Sequence, residues 1–430
     1  MINFKTRLGY LLGVGAIFYA SYGFTNFLTA QRENVPEIVF DWEHRIPFLT
    51  WTIVPYWSLN LLYALVFFLC QDLAQLRNYV ARLLLAQSIA VFGFLFFPLQ
   101  ISWQKPETTG IAGFLFESLA GFDQPYNQAP SLHIILTIVV GAFYWRMFPK
   151  WRLLLGFWFG LIAVSILTTY QHHFLDLPTG ALVGFLVLWL LPEQGISPIF
   201  VLFSQNRTVS HHRLMRYYGL GAMVCVLLAY LGGGWLWLIW GAVALCLVVL
   251  AYGWGVAIFQ KQTNGKLSVA TCALELPYLL GARLNIAYWL WRKPKSAVIF
   301  ENISVGSIIV SGKFEAVLDC CAELPCPNPP DAYEQALMLD LVSPSAKELC
   351  KAVEKLDRLQ QTHSSVLVCC ALGYGRSVAV VLTWLLTTRK IADLDQAIML
   401  VKQARPHIVV SNALRQTILQ ADKLYQEKTK

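Results

Sequence analysis

Long apolar runs constrain this chain more than any motif in it. Eight stretches, near residues 8–29, 51–70, 83–103, 130–147, 153–170, 177–192, 216–232 and 235–257, reach or nearly reach the length a helix needs to cross a membrane, whose hydrocarbon layer is about 30 Å thick. Backbone N–H and C=O groups find no water in that layer, so such runs are expected as helices. Charged residues make up only 13% of the 430-residue chain, against about a quarter in soluble proteins, and the deficit falls before residue 260. The sequence therefore reads as a transmembrane region over 1–260, an amphipathic interfacial linker over 261–296 and a soluble domain over 297–430.

The basic loops set an orientation, because Lys and Arg gather on the cytoplasmic side. With the N-terminus inside, the inner segments carry Lys5, Arg7, Arg77, Arg82, Arg146, Lys150, Arg152, Arg207, Arg213 and Arg216. The outer loops carry Arg32, Arg45 and Lys105 together with acids such as Glu33, Glu37, Asp41 and Asp123. Eight crossings bring the C-terminal domain back to the cytoplasm. Residues 273–291 are apolar but hold Glu275, Pro277, Arg283 and Asn285; charges at mid-bilayer are costly, so an interfacial helix is expected there rather than a ninth span. Arg292, Lys293 and Lys295 follow, suited either to anionic lipid or to an ordinary flank. The formal charge of +8 comes with no nucleic-acid motif. Six of the ten cysteines lie after residue 300 without a metal-type or disulfide-type spacing, as suits a reducing compartment.

In the soluble domain, Ser364 to Cys370 reads as a buried strand, Ala371-Leu372-Gly373-Tyr374-Gly375-Arg376-Ser377 as a loop, and Val378 to Thr387 as an apolar helix. Glycines let a tight loop turn its N–H groups toward one point. The helix N-terminus adds partial positive charge there, and Arg376 offers a planar fork for two phosphoryl oxygens. Cys370 at the base of such a loop would be a thiolate near neutral pH, and Ser377 could hydrogen-bond it. A buried structural cysteine before a glycine turn is the plainer reading of the same residues.

Cys370, five residues, Arg376 and Ser377 between a strand and a helix resemble the dual-specificity branch of the cysteine-based phosphatases, over about residues 297–422. That resemblance implies an α/β domain, a phosphocysteine intermediate and an Asp general acid on a loop ahead of the cysteine. Asp340, in Leu-Met-Leu-Asp-Leu-Val-Ser-Pro-Ser, matches it, with Asp331 and Asp319 as weaker rivals. The family usually has His before the nucleophile, where this chain has Cys369.

On the outer face, Pro130-Ser131-Leu132-His133 opens the fourth span, and His172 and Asp176 lie between the fifth and sixth. A His with a carboxylate four residues on can be an oriented nucleophile, and a second His can protonate a leaving group; polar helix ends explain the same residues without chemistry. These motifs resemble the type-2 phosphatidic-acid phosphatase superfamily over about residues 50–195. The resemblance implies His172 as nucleophile, Asp176 as its orienting acid, His133 as general acid, and Ser131 and Lys105 at the phosphate. The family's first-motif Lys and third-motif Arg have no counterpart here, a pattern more like the branch that includes inositol-phosphorylceramide synthases.

The expectation is a multi-pass membrane bundle of about eight helices joined to a soluble α/β cysteine-phosphatase domain, in a bacterial inner membrane with both termini cytoplasmic. It would hydrolyse phosphomonoesters of a phosphorylated protein or phospholipid, with a second, lipid-phosphate site on the periplasmic side. The alternatives are a lipid head-group transferase regulated by its cytoplasmic domain, or a non-catalytic phosphate-binding module. Neither chemistry calls for a metal or cofactor, and no nucleic-acid partner is expected.

Overall fold

The computed structural model describes residues 2–121, 124–203 and 211–429; Asp123 and Arg207 lie outside them. The chain forms two compact units, Met1–Ile199 and Phe200–Lys430.

The first unit is helical: α1 (Phe4–Ala30), α2 (Ile53–Leu69), α3 (Leu73–Phe96), α4 (Gly110–Ala120), α5 (Leu132–Met147), α6 (Arg152–Thr168), α7 (Asp176–Leu190) and α8 (Pro198–Phe203), the last running past the boundary. Among the described residues, five helical segments, Phe4–Ala30, Thr50–Leu69, Leu73–Phe96, Pro149–Thr168 and Gly233–Trp254, are long and apolar enough to cross a membrane; α4, α5 and α7 are shorter. The third span starts about ten residues before the expected one. Asp72 caps α3 by accepting the Gln75 N–H at 2.8 Å, and Pro98 ends it early, since a proline cannot continue a helix ladder. In this unit α5 packs against both α7 and α6.

The second unit begins with the antiparallel pair α9 (His212–Ala229) and α10 (Leu238–Trp254), followed by the short α11 (Val269–Leu274) and α12 (Leu276–Trp289). The α/β fold follows. A mixed sheet has the order β1 (Ser296–Phe300), β2 (Ile303–Ser307), β5 (Val366–Cys370), β3 (Ala316–Cys321), β4 (Ala332–Met338). Only β1 is antiparallel; β2, β5, β3 and β4 run parallel. Val366 to Cys370 is an unbroken buried run, as a central parallel strand covered on both faces must be. Helices α13 (Ala346–Thr362), α14 (Arg376–Thr387), α15 (Leu394–Ala404) and α16 (Asn412–Thr429) complete it. The core joins Leu349, Val353 and Leu356 of α13 to Val366 and Val368 of β5 and to Val380, Val381 and Trp384 of α14.

A short hairpin between α10 and α11, closed by a Lys261–Leu267 bridge, belongs to this packing. Lys261 Nζ is bonded to the buried Asp319 carboxylate and to the Cys321 carbonyl, and Tyr333 Oη donates to the same carboxylate at 2.6 Å.

Candidate active sites

Parallel strands end on the same edge of their sheet, and residues just past those ends converge. Here the ends of β2, β3, β4 and β5 deliver Ser307, Glu323, Asp340 and Cys370. The loop from Ala371 to Gly375 is pinned from outside by its carbonyls. Ser307 Oγ donates to Ala371 O at 2.5 Å, Arg405 Nη2 to Leu372 O at 2.9 Å and Arg405 Nε to Gly373 O at 3.0 Å. In a planar trans peptide the next N–H points the opposite way, so the amides of Leu372, Gly373 and Tyr374 face inward. The Gly373 N–H indeed meets Cys370 Sγ at 3.3 Å. Gly373 is indispensable to this shape: its φ is +74°, and a Cβ there would lie 2.5 Å from the Gly306 carbonyl carbon.

Ser377 Oγ lies 3.4 Å from Cys370 Sγ. Burial pushes the thiol up, but the Arg376 guanidinium and two hydrogen bonds from Ser377 outweigh it and hold Cys370 below its ordinary pKa. Cys369 is on the other face of the same strand, and burial pushes it well above its ordinary value; the missing family His therefore does not leave Cys370 without a source of acidity.

Arg376 is buried at the start of α14. Glu323 holds it in a bidentate pair, 2.7 Å from Nη1 and 2.6 Å from Nη2. Nη1 also donates to Met338 O at 3.0 Å, and Asp340 Oδ1 is 3.1 Å from Nη2. Burial pushes Glu323 up, and the guanidinium more than reverses this, leaving it below the carboxylate range. The Arg376 Nε–H is buried with no partner among the described residues: it is the donor left for a ligand oxygen. Asp340 is half-exposed at the rim, and its carbonyl accepts from Tyr252 Oη of α10 at 3.1 Å. Of its rivals, Asp319 is buried against Lys261 away from the rim, and Asp331 precedes β4 at the opposite end of the strand.

The first unit holds the other constellation. His172 Nδ1 is 3.1 Å from Asp176 Oδ2, and its Nε2 is 3.2 Å from Ser131 Oγ. All three are buried. Close packing of α7 on α5 sets this distance, because a Cβ on Gly180 would stand 2.7 Å from Ser131 O. Lys105 Nζ donates to Gln171 Oε1 at 2.8 Å, one residue from His172. His133 stacks on the Tyr56 ring with centroids 4.0 Å apart, and its Nε2 is buried without a hydrogen-bond partner among the described residues. Glu43, a residue that the motifs do not mark, is fully buried here and accepts the Phe174 N–H at 2.7 Å, bracing the turn that follows His172.

These two sites fall within two family matches. The model of the PAP2 superfamily matches residues 38–190, and that of the dual-specificity phosphatase catalytic domain matches residues 304–423. The chain joins a PAP2-superfamily domain to a dual-specificity phosphatase domain. It is thus a phosphoric monoester hydrolase by family and, with five membrane-length helices among its described residues, a membrane protein. Similar solved structures include Tk-PTP in its active form (22% identity, TM-score 0.27, 30% of this chain and 97% of that one), PTPMT1 in complex with PI(5)P (15%, TM-score 0.29, 32% and 100%) and human DUSP28 (17%, TM-score 0.28, 31% and 96%). No curated protein matches the chain.

Within the dual-specificity phosphatase domain, motif reading leaves out Glu323, Ser307 and Arg405. Each acts from a different strand end or helix end, so no local spacing ties it to the loop. The one available signal is an acid directly after the apolar β3 run, at Cys321-Ala322-Glu323.

Proposed function

We propose that the dual-specificity phosphatase domain hydrolyses phosphomonoesters through a phosphocysteine. The observation that carries this reading is the position of Cys370 Sγ within reach of an inward amide and of Ser377, beside a guanidinium with one donor unspent. The thiolate attacks phosphorus, forming an S–P bond as the ester P–O bond breaks, and Asp340 gives its proton to the departing oxygen. Asp340, now a carboxylate, takes a proton from water. The resulting hydroxide attacks phosphorus, the S–P bond breaks, and inorganic phosphate leaves. Developing charge on the equatorial oxygens is met by the loop amides and Arg376. Glu323 touches no substrate atom and serves as a positioning residue for Arg376. The full-length protein, given an aryl phosphate in detergent, should release a stoichiometric burst of phenol, and Cys370→Ser should abolish it while retaining phosphate binding. Burst kinetics that survive in Cys370→Ser rule this mechanism out.

The Ser131–His172–Asp176 chain supports a second centre in the PAP2-superfamily domain. With Nδ1–H donated to Asp176, His172 Nε2 carries the lone pair for attack on a lipid phosphate, and His133 protonates the leaving group. Lys105 and Ser131 lie at the phosphoryl oxygens. The absence of the family's first-motif Lys and third-motif Arg favours head-group transfer to a second lipid over release of phosphate. A new phosphodiester, formed only when an acceptor lipid is supplied, distinguishes transfer from hydrolysis. The basic-loop bias supports cytoplasmic termini, with this second centre on the far face; reporter fusions at residues 105 and 430 test that.

A further inference from the structure

The cavity that contains Cys370 does not end at the phosphatase domain. It has a volume of about 1110 Å³, and its walls pass from Cys370, Arg376 and Asp340 to Leu245 on α10 and Gly281 and Ile286 on α12. We propose, building on the phosphocysteine reading, that the substrate at Cys370 is a membrane lipid bearing a terminal phosphomonoester, its head group in the loop and its acyl chains along the groove between α10 and α12.

Three observations select this occupant over a peptide. First, one wall is a helix of membrane-crossing length and composition, Gly233–Trp254. A water-soluble substrate has no use for such a wall. Second, the dimensions agree. Tyr252 marks the level of the catalytic loop through its bond to Asp340 O, and the cavity extends along α10 to Gly241. The eleven helical steps from Gly241 to Tyr252 measure about 16 Å at 1.5 Å per residue, close to the roughly 15 Å depth of one hydrocarbon leaflet. Third, the mouth carries the residues of a membrane interface. Tyr288 and Trp291 are exposed aromatics beside the cavity-lining Trp289, and Lys293 Nζ lies 5.6 Å from the Trp289 ring. Aromatic rings with basic neighbours settle at head-group depth and attract anionic lipid. The groove itself is open at Gly281, where an added Cβ would meet nothing within 4 Å.

The test uses the full-length chain in dodecyl maltoside micelles, with His172→Ala throughout so that only Cys370 turnover is read. Dioleoyl phosphatidic acid is compared with glycerol 3-phosphate, which has the same head group, and with a phosphotyrosine peptide. The lipid should be preferred by about a hundredfold in kcat/KM, a factor that a few buried methylenes supply. Cys370→Ser should remove that turnover. Gly281→Trp fills the groove and should cut the preference for the lipid over the peptide by about tenfold or more. Equal or better use of the peptide or of glycerol 3-phosphate by the parent chain overturns the lipid assignment and leaves the phosphocysteine intact. An unchanged preference in a folded Gly281→Trp does the same. Failure to turn over any of the three, or an aryl phosphate, overturns both readings together.

Discussion

Cys370 lies in an apolar interior that would by itself keep its proton in place, and two neighbours reverse that. The acid limb of kcat/KM should track this thiol: activity rises with pH as the thiolate forms, and it forms at lower pH than for an ordinary cysteine because the folded pKa is depressed. Ser377→Ala removes the hydroxyl's lowering hydrogen bond and keeps the one from the backbone N–H, so the limb should move to higher pH, as a pH–rate profile on an aryl phosphate will show. Glu323→Gln should weaken the site in another way. It keeps the shape but removes the charge that fixes the guanidinium; truncating one partner of a buried pair costs about 3–5 kcal/mol. KM for an aryl phosphate should rise and thermal stability should fall, with the acid limb not moving upward. The pair was not legible in sequence. Cys370 and Arg376 sit in one contiguous stretch whose spacing carries its own geometry, whereas Glu323 is 53 positions from Arg376 and only the sheet order brings them together.

At the scale of elements, the catalytic loop depends on how closely β2 approaches it. Gly373→Ala adds a carbon 2.5 Å from Gly306 and forces a left-handed φ on a residue with a side chain. Backbone strain of that kind costs about 1–3 kcal/mol, and the loop must open to relieve the clash, so phosphate binding should be lost, as calorimetry with inorganic phosphate will show. The strand, loop and helix around Cys370 were readable because each has a strong local signal: an unbroken apolar run, glycines and a second apolar run. The third span was misplaced because apolarity alone ignores ends. The Asp72 cap starts α3 about ten residues before the expected span, and Pro98 ends it about seven residues before. The hairpin carrying Lys261 had no signal, since its lysine looks like any other in a polar connection until Asp319 is found across it. Lys261→Met strands that carboxylate in the interior and should lower stability by about 3–5 kcal/mol, measured by thermal unfolding in detergent.

For the whole molecule, the two proposed chemistries predict separable losses. Cys370→Ser should abolish the thiol-dependent turnover of an aryl phosphate, His172→Ala should abolish histidine-dependent head-group chemistry, and the double variant should show both deficits without synergy, assayed side by side on lipid and aryl substrates. The division of the chain at residue 199 places α9 and α10 with the phosphatase fold, an allegiance hydropathy cannot show because spans look alike whichever partner they pack on. The hydroxyl of Tyr252 then acquires a wider meaning. It bonds the backbone carbonyl of Asp340, the proposed proton donor, so that residue is braced by a strut from a helix of membrane-crossing length and composition. A soluble piece excised at residue 297 leaves that strut behind, along with the lysine that neutralises Asp319, and its sluggishness in a test tube would measure the amputation rather than the enzyme.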